Sequence, residues 1–218
     1  MIIAIDGPSA SGKSTTAKGV AKVFGILHLD TGAMYRAITL EYLKYQNISY
    51  DSQDFFDLVK NIEINFNRDN QITLNGLCVE QDIRKQDVTS KVSEVSSISI
   101  VRKKMVEKQR EIARNIDCVI EGRDIGSVVF PNAEFKFYLD AKAEIRAARR
   151  LKELTNQDKS VTLDDLITQI KRRDFLDTNR KISPLIKTKE ATIIDTSSMS
   201  VDEQIEQIVK IINNKYQG

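Results

Sequence analysis

The chain is poor in histidine, cysteine, proline and tryptophan, and these scarcities exclude several kinds of site. Its 218 residues include one histidine, two cysteines, three prolines and no tryptophan. A single histidine excludes the HExxH zinc motif and every metal site that needs two histidines. Cys78 and Cys118 have no CxxC spacing, which is typical of a reduced cytosolic protein. We therefore expect a cytoplasmic protein without disulfides or structural zinc.

The chain also lacks a strong charge of one sign and a long apolar run. Its 33 basic and 31 acidic residues give a net charge of +2, too small to favour nucleic acid or an anionic membrane as a partner. No apolar segment approaches the roughly 18 residues that a membrane-spanning helix needs. The first motif begins at Gly7, so we expect no signal peptide before it.

What the chain does have is an alternation of short apolar runs with helical patterns. This alternation predicts an α/β fold with a five-stranded parallel sheet wrapped by helices. A helix is expected over 13–24, with Gly25 as its C-cap. The five expected strands are Met1–Ile5, Ile26–Leu29, Cys118–Ile120, Phe135–Leu139 and Ala191–Ile194.

Residues 62–80 interrupt this rhythm with the two-residue alternation of antiparallel strands. Asn75-Gly76 is a strong signal for a two-residue hairpin turn. We expect helical segments near 52–61 and 82–115 on either side. Residues of about 33–115 are accordingly interpreted as a satellite subdomain inserted into the core.

The C-terminal half predicts two capped helices. Thr162 with Asp165 and Ser200 with Glu203 have the spacing of capping boxes. The apolar faces of these helices are expected to contain Leu163, Leu166, Ile167 and Ile170 in the first, and Val201, Ile205, Ile208, Val209 and Ile212 in the second.

Residues 7–14 read GPSASGKS and match the phosphate-loop pattern GxxxxGK[ST] between a predicted strand and a predicted helix. Glycines let backbone N–H groups converge on phosphate oxygens at a helix N-terminus. Lys13 is expected to reach the β- and γ-phosphates, and the hydroxyl of Ser14 is expected to ligate Mg²⁺. The motif predicts a nucleoside triphosphate with magnesium, but it does not identify the phosphate acceptor.

Arginines follow two of the predicted strands. Arg123 and Asp124 come after the strand that ends in Val119-Ile120-Glu121, and Tyr35 and Arg36 come after the second strand. Ligands of open α/β sheets bind at these strand ends, and arginine binds phosphate bidentately. A surface ion pair for Arg123 and ordinary core packing for Tyr35 are the alternatives.

A third group, Arg173, Asp177 and Arg180, has the spacing of one face of a continuous helix. A salt-bridged solvent face is the alternative to a ligand site. A basic cluster at Arg146, Arg149, Arg150 and Lys152 precedes a polar stretch and is either a charged helix end or the base of a mobile loop. Together these groups suggest two anionic substrates that meet at the phosphate loop, since phosphoryl transfer needs positioning and charge neutralisation above all.

Five longer motifs resemble those of the bacterial cytidylate kinases, a family of P-loop nucleoside-monophosphate kinases. They are IDGPSASGKST, LDTGAMYR, SEVSSISIVRKKMVEKQR, IEGRDIGSVVFPNA and RRDFLDTNR followed by PL. The resemblance covers essentially the whole chain. It implies reversible, Mg²⁺-dependent transfer of the γ-phosphoryl group of ATP to CMP or dCMP, which gives ADP with CDP or dCDP.

The resemblance also implies roles for individual residues. ATP would bind at Gly7, Pro8, Ser9, Ala10, Ser11, Gly12, Lys13, Ser14 and Thr15. Ser93, Arg102 and Asp124 would read the cytosine, and Asp177 with Arg173 and Tyr35 would hold the sugar. Arg36, Arg123 and Arg180 would hold the monophosphate, with Thr31 where relatives often have serine. Lys13, Arg123 and Arg180 would be catalytic.

The implied organisation is a single kinase domain of three parts. The core would comprise about 1–32, 116–153 and 162–218, and the monophosphate-binding subdomain about 33–115. The lid would be about 154–161, where Arg149 or Arg150 would reach the ATP phosphates. The partners would be ATP and CMP or dCMP, bound by a monomer, with neither nucleic acid nor membrane.

Two rival hypotheses remain open. A different small-molecule P-loop kinase would use UMP, AMP or shikimate, and a non-catalytic module would bind nucleotides or RNA. Of the isolated residues, His28 is expected only to pack or to form a hydrogen bond, and both cysteines to be buried. Asp6 and Asp30 are candidates for water-mediated contact with Mg²⁺.

Overall fold

The structure is a computed structural model that describes residues 1–45, 48–154 and 161–217. The chain divides into two compact units. The first contains residues 1–29 and 116–218, and the second contains residues 30–115. The expected lid lies almost wholly at 155–160, outside the described residues.

The first unit is built on a five-stranded sheet. The strands are β1 (Ile2–Asp6), β2 (Leu27–Asp30), β6 (Cys118–Gly122), β7 (Phe135–Asp140) and β8 (Thr192–Asp195). Their order in the sheet is β2-β6-β1-β7-β8. The pairs β1–β6, β1–β7 and β7–β8 are parallel, with Ile3 opposite both Val119 and Phe135. The five-stranded parallel sheet predicted from the sequence is confirmed, each strand within a residue or two of its expected bounds.

Apolar residues of the central strands form the core of this unit. Ile3, Ile5 and Leu139 are fully buried and pack with Val20 of α1 (Lys13–Phe24) and Ile208 of α8 (Val201–Gln217). Gly25 ends α1 in the left-handed conformation at φ 64°, as the sequence predicts. The helices of the unit are α1 (Lys13–Phe24), α6 (Ala143–Leu154), α7 (Leu163–Asn179) and α8 (Val201–Gln217), with a π-helical turn at Ile125–Val129.

The second unit contains the predicted antiparallel meander, with strand order β3-β4-β5. Asn75 and Gly76 have φ of 49° and 81°, the backbone of a tight hairpin turn. Its helices are α2 (Thr31–Leu43), α3 (Gln53–Asn61), α4 (Gln86–Val95) and α5 (Ser99–Ile112), its strands are β3 (Ile64–Phe66), β4 (Ile72–Leu74) and β5 (Leu77–Cys78), and a 3₁₀ turn lies at Asp82–Arg84.

The helical pattern over 82–115 is divided in the structure. The backbone is extended at Lys85 and again at Ile98, with ψ of 153° and 130°. The chain therefore turns before each helix, which lets α4 bury Val92 and α5 bury Met105.

Both capping boxes form, but their first helical residues do not join the core. Ser200 N donates to Glu203 Oε2 at 2.7 Å, and Thr162 and Asp165 bond each other reciprocally. Leu163 and Val201 have the helical spacing of these apolar faces, but they are 40% and 38% exposed and lie outside the buried core. Helix side chains point toward the N-terminus, so a side chain in the first position projects past the helix end.

Cys78 is also exposed, contrary to expectation, because it ends the two-residue edge strand β5, whereas Cys118 is buried. Within the described residues no helix is both long enough and apolar enough to span a membrane.

Candidate active site

The phosphate loop connects β1 to α1 in a backbone conformation that its glycines permit. Gly12, the N-cap of α1, has φ 90°, and Ala10 has φ 59°. A Cβ on Gly7 would lie 2.2 Å from the carbonyl oxygen of Leu139, so a side chain does not fit there. The loop is therefore fixed by its main chain and by close contact with β7.

Lys13 and Ser14, the residues expected to contact the phosphates and Mg²⁺, lie at the start of α1. Lys13 is buried, and its Nζ donates to the Pro8 carbonyl oxygen at 3.2 Å. Ser14 and Thr15 are exposed. The Ser14 hydroxyl donates to Glu121 Oε2 at 2.5 Å, which ties the first turn of α1 to the C-terminal end of β6.

Glu121 is a buried carboxylate, 2% exposed, that accepts from two elements. Its other oxygen, Oε1, lies 3.1 Å from Nε2 of His28 on β2. Burial raises the pKa of Glu121, but the hydrogen bond from His28 and the charge of Lys13 outweigh it and lower the pKa below its ordinary value. The prediction that His28 packs or forms a hydrogen bond is confirmed.

Asp6 and Asp30 both accept hydrogen bonds from backbone N–H groups. Asp6 accepts from the N–H groups of Ile125 and Gly126 at 2.9 and 2.8 Å. Burial raises the pKa of Asp6 to about 6 even though these two bonds lower it. Asp30 caps α2 by accepting from Ala33 N. Asp6 thus anchors the turn that follows Asp124.

Arg123, Asp124, Asp177 and Arg180 form two ion pairs at the carboxyl end of the sheet, which we call the arginine cluster. Arg123 Nε donates to Asp177 Oδ2 at 2.8 Å, and Arg180 Nη2 lies 3.5 Å from Asp124 Oδ1. All four side chains are at most 16% exposed. A solvent-exposed salt-bridged face is therefore not what these residues form.

The helix that contains Arg173 and Asp177 ends before Arg180. Helix α7 ends at Asn179, and Arg180 is its C-cap with an extended ψ of 142°. The continuous helix expected through Arg180 therefore stops one residue before it, and Arg180 Nε donates to Ser183 O at 2.5 Å.

Three arginines act on the Asp177 carboxyl. Burial raises the pKa of its carboxyl, but Arg123, Arg173 and Arg180 together lower it below the ordinary value. Asp177 is thus held ionised among three guanidinium groups.

Two further arginines contact the phosphate loop. Arg173 Nη1 lies 3.4 Å from Ser9 Oγ, so this residue reaches the loop as well as Asp177. Arg146 is 5% exposed, and it donates to the Ser9 carbonyl oxygen at 3.0 Å and to Asp174 Oδ2 at 2.6 Å. It therefore connects α6 and α7 to the loop.

The arginines expected to reach the ATP phosphates are bonded elsewhere. Arg149 donates from Nη1 to Thr196 Oγ1 at 3.1 Å and from Nη2 to the Thr196 carbonyl oxygen. Arg150 pairs with Glu153 at 3.4 Å.

In the second unit, α2 and α5 bring two predicted residues together. The guanidinium carbon of Arg102 lies 5.2 Å from the ring centroid of Tyr35, and Arg102 Nη1 donates to Ser96 O at 3.1 Å. Arg102 is 2% exposed, and Thr31 is 3% exposed. Ser93 on α4 and Arg36 on α2 are half-buried.

Glu121 and Arg146 are not among the site residues that the sequence predicts. The sequence around Glu121 does indicate such a role, because a carboxylate at the end of an apolar strand in a phosphate-loop protein is expected near the nucleotide's metal ion. Nothing in the sequence distinguishes Arg146 from the neighbouring basic residues. Its contact with the phosphate loop becomes visible only in the structure.

Comparison with known proteins gives one consistent family. The family model described as cytidylate kinase matches residues 3–214. A cytidylate kinase of Desulforamulus reducens is 45% identical over 95% of this chain and 94% of its own length. One from Clostridioides difficile is 43% identical over 98% of each chain.

Solved structures share the fold at low identity. An uncharacterized protein from Eubacterium ventriosum has a TM-score of 0.55 at 15% identity, over 98% of each chain. A shikimate kinase from Bacteroides thetaiotaomicron has a TM-score of 0.51 at 11% identity, also over 98% of each chain.

Proposed function

Because this chain belongs to the cytidylate kinase family, we propose that it transfers the γ-phosphoryl group of ATP to the phosphate of CMP or dCMP. The observation that carries this proposal is the presence, in one unit, of a phosphate loop and a separate buried arginine cluster. The loop suits the phosphates of the donor, and the cluster suits a second anionic substrate.

On the donor side, residues 7–15 are proposed to bind ATP, with Lys13 neutralising charge on the transferring group. The chain itself performs little covalent chemistry in such a transfer. Its residues hold donor and acceptor in line and offset the charge on the phosphoryl oxygens.

Magnesium is proposed to bind at Ser14. The exposed hydroxyl of Ser14 and the ionised carboxylate of Glu121 are both oxygen groups, which Mg²⁺ prefers, and they are hydrogen-bonded to each other. Within the described ranges, 1–45, 48–154 and 161–217, no three His, Cys, Asp or Glu side chains gather as a metal site. The ion would therefore depend on Ser14, waters and the nucleotide's own phosphates. When bound, it supplies charge neutralisation at the phosphates.

On the acceptor side, Arg36, Arg123 and Arg180 are proposed to hold the monophosphate. Asp177 with Arg173 and Tyr35 would hold the sugar, and Ser93, Arg102 and Asp124 would read the cytosine, with Thr31 close in sequence to Tyr35. An ionised carboxylate accepts from the cytosine amine but opposes the O4 acceptor of uracil, so discrimination against UMP follows.

The subdomain arrangement is also a proposal. We infer that residues of about 33–115 form the monophosphate-binding part, that 154–161 is the lid, and that the enzyme is a cytoplasmic monomer without nucleic-acid or membrane partners.

The test is a coupled assay of ADP release with MgATP and CMP, dCMP, UMP or AMP as acceptor. We expect rates with the two cytidine nucleotides at least about tenfold above the others. Equal rates with UMP would keep the kinase but remove the role of Asp124. ADP release that does not depend on an acceptor would contradict the proposal.

A further inference from the structure

The two oxygens of Glu121 are bonded to different partners, and one of these partners is the chain's single histidine. Oε2 accepts from the Ser14 hydroxyl at 2.5 Å, and Oε1 lies 3.1 Å from Nε2 of His28. The Glu121 and His28 side chains are 2% and 14% exposed. His28 lies on β2, which neighbours β6 and its residue Glu121 in the sheet.

The chemistry of the carboxylate settles which group donates. An ionised carboxylate has only hydrogen-bond acceptors. Nε2 of His28 must then carry the hydrogen that it shares with Oε1. A neutral imidazole in this tautomer is sufficient, so the contact does not require His28 to be charged.

The bond to His28 also determines which Glu121 oxygen accepts the hydrogen bond from Ser14. The terminal torsion of a glutamate has a broad energy minimum, so the partners of the carboxylate decide where its two oxygens point. With Oε1 held from β2, Oε2 faces α1 and receives the Ser14 hydrogen. The lone pairs of the Ser14 oxygen are then directed away from Glu121.

We propose that His28 is a positioning residue of the donor-nucleotide site, which holds the Glu121 carboxylate so that Ser14 presents its oxygen lone pairs to the nucleotide-bound cation. The inference rests on the proposed function, because it takes Ser14 as the cation's protein ligand. His28 itself touches neither the nucleotide nor the cation.

The single histidine makes the contact observable in the wild-type enzyme. A long-range ¹H–¹⁵N spectrum of the imidazole contains one set of side-chain signals. We expect the tautomer with hydrogen on Nε2, and we expect Glu121→Gln to shift the Nε2 signal. The tautomer with hydrogen on Nδ1, or a spectrum unmoved by Glu121→Gln, would overturn the proposal without any His28 variant.

The second measurement is calorimetric titration with ADP, with and without Mg²⁺. The readout is the factor by which Mg²⁺ tightens ADP binding. We expect His28→Phe to reduce this factor about tenfold, the usual scale for the loss of a residue that orients a metal ligand. Binding of metal-free ADP should stay at the wild-type level, which a general structural defect would not allow.

Two variants complete the design. His28→Gln retains a side-chain N–H donor and should restore most of the Mg²⁺ effect. Asp117→Asn removes the ion pair with the N-terminal amine. Asp117 precedes β6 at the end of the strand opposite to Glu121, so this variant should leave the Mg²⁺ factor unchanged. An unchanged Mg²⁺ factor in His28→Phe, or an equal loss in His28→Gln and His28→Phe, would overturn the proposal. Because the ligand is ADP, the outcome is separate from whether CMP is the acceptor.

Discussion

The phosphate loop and the arginine cluster are both suited to phosphate, but they are built in different ways. The loop is fixed by main-chain conformation at Gly7, Ala10 and Gly12 and by contact with Leu139. The cluster is fixed by side-chain ion pairs, chiefly that of Arg123 with Asp177. A main-chain site is sensitive to any added atom, whereas an ion-paired site is sensitive to any lost charge.

The largest expected effect comes from the one cation of the loop itself. Lys13→Met should lower kcat about 10²- to 10³-fold, as loss of a preorganised charge-stabilising group does. CMP binding should be retained, because Lys13 acts on the transferring group. Steady-state kinetics and CMP calorimetry measure the two effects. Lys18→Met, an exposed lysine on the same helix, is the matched control, and loss of CMP affinity in Lys13→Met would contradict the assignment.

The next effect tests the charge balance of the arginine cluster. Asp177→Asn leaves Arg123 without its buried counter-charge, and we expect a loss of about 3 kcal/mol in the free energy of unfolding. Urea unfolding followed by circular dichroism measures it. Glu144→Gln breaks the exposed pair with Lys171 and should leave stability unchanged. An equal free energy of unfolding for the two variants would show that the arginine cluster does not depend on the pair of Arg123 with Asp177.

A smaller effect separates steric fit from backbone conformation. Gly7→Ala places a Cβ against the Leu139 oxygen, whereas a Cβ on Gly25, at φ 64°, meets nothing within 4 Å. We expect Gly25→Ala to cost about 1 kcal/mol for its left-handed backbone. Gly7→Ala should cost about 2 kcal/mol in total, since the packed strand must also shift. Thermal unfolding of both variants checks this, and equal losses would mean that the contact with β7 does not constrain the loop.

The smallest effect is a pH dependence with a defined sign. The pKa of Asp6 is about 6 when folded and 3.8 ordinarily, so the folded state binds the proton more tightly. The contribution of Asp6 to stability therefore falls as pH rises from about 4 to 6 and is constant above that range. Asp6→Asn does not titrate, so the Tm gap between wild type and variant should be wider at about pH 5 than at about pH 7.5.

Asp177 supplies the contrast. Its pKa is lowered, so its stabilising contribution is present above its ordinary value of 3.8 and is lost as pH falls through the folded value. The gap between wild type and Asp177→Asn should therefore stay constant between about pH 5 and 7.5. A narrowing Asp6 gap on acidification would contradict the assigned sign.

The difference between the two regions also explains why the sequence predicts the phosphate loop well and the side-chain contacts of the arginines poorly. A main-chain site leaves fixed glycine spacings, so the loop, its strand and its helix were all predicted from local pattern. The five strands followed from apolar runs that a parallel sheet buries on both faces.

Side-chain sites leave only residue types in the sequence. Helical spacing does not show that α7 ends at Asn179, nor that Arg180 pairs with Asp124, which is far away along the chain. Arg146 lies at the phosphate loop while its neighbour Arg149 bonds Thr196. No spacing rule separates two such residues, because the direction of each depends on contacts far away along the chain.

The most direct test of the central claim, that the loop serves the donor and the cluster serves the acceptor, is calorimetric titration of Asp124→Ala. We expect its CMP dissociation constant to rise about 10- to 100-fold, as loss of a charged hydrogen-bond acceptor implies. Its MgADP dissociation constant should stay at the wild-type value. Equal weakening of both ligands would contradict the claim and would make Asp124 a structural partner of Arg180 instead of a reader of the cytosine.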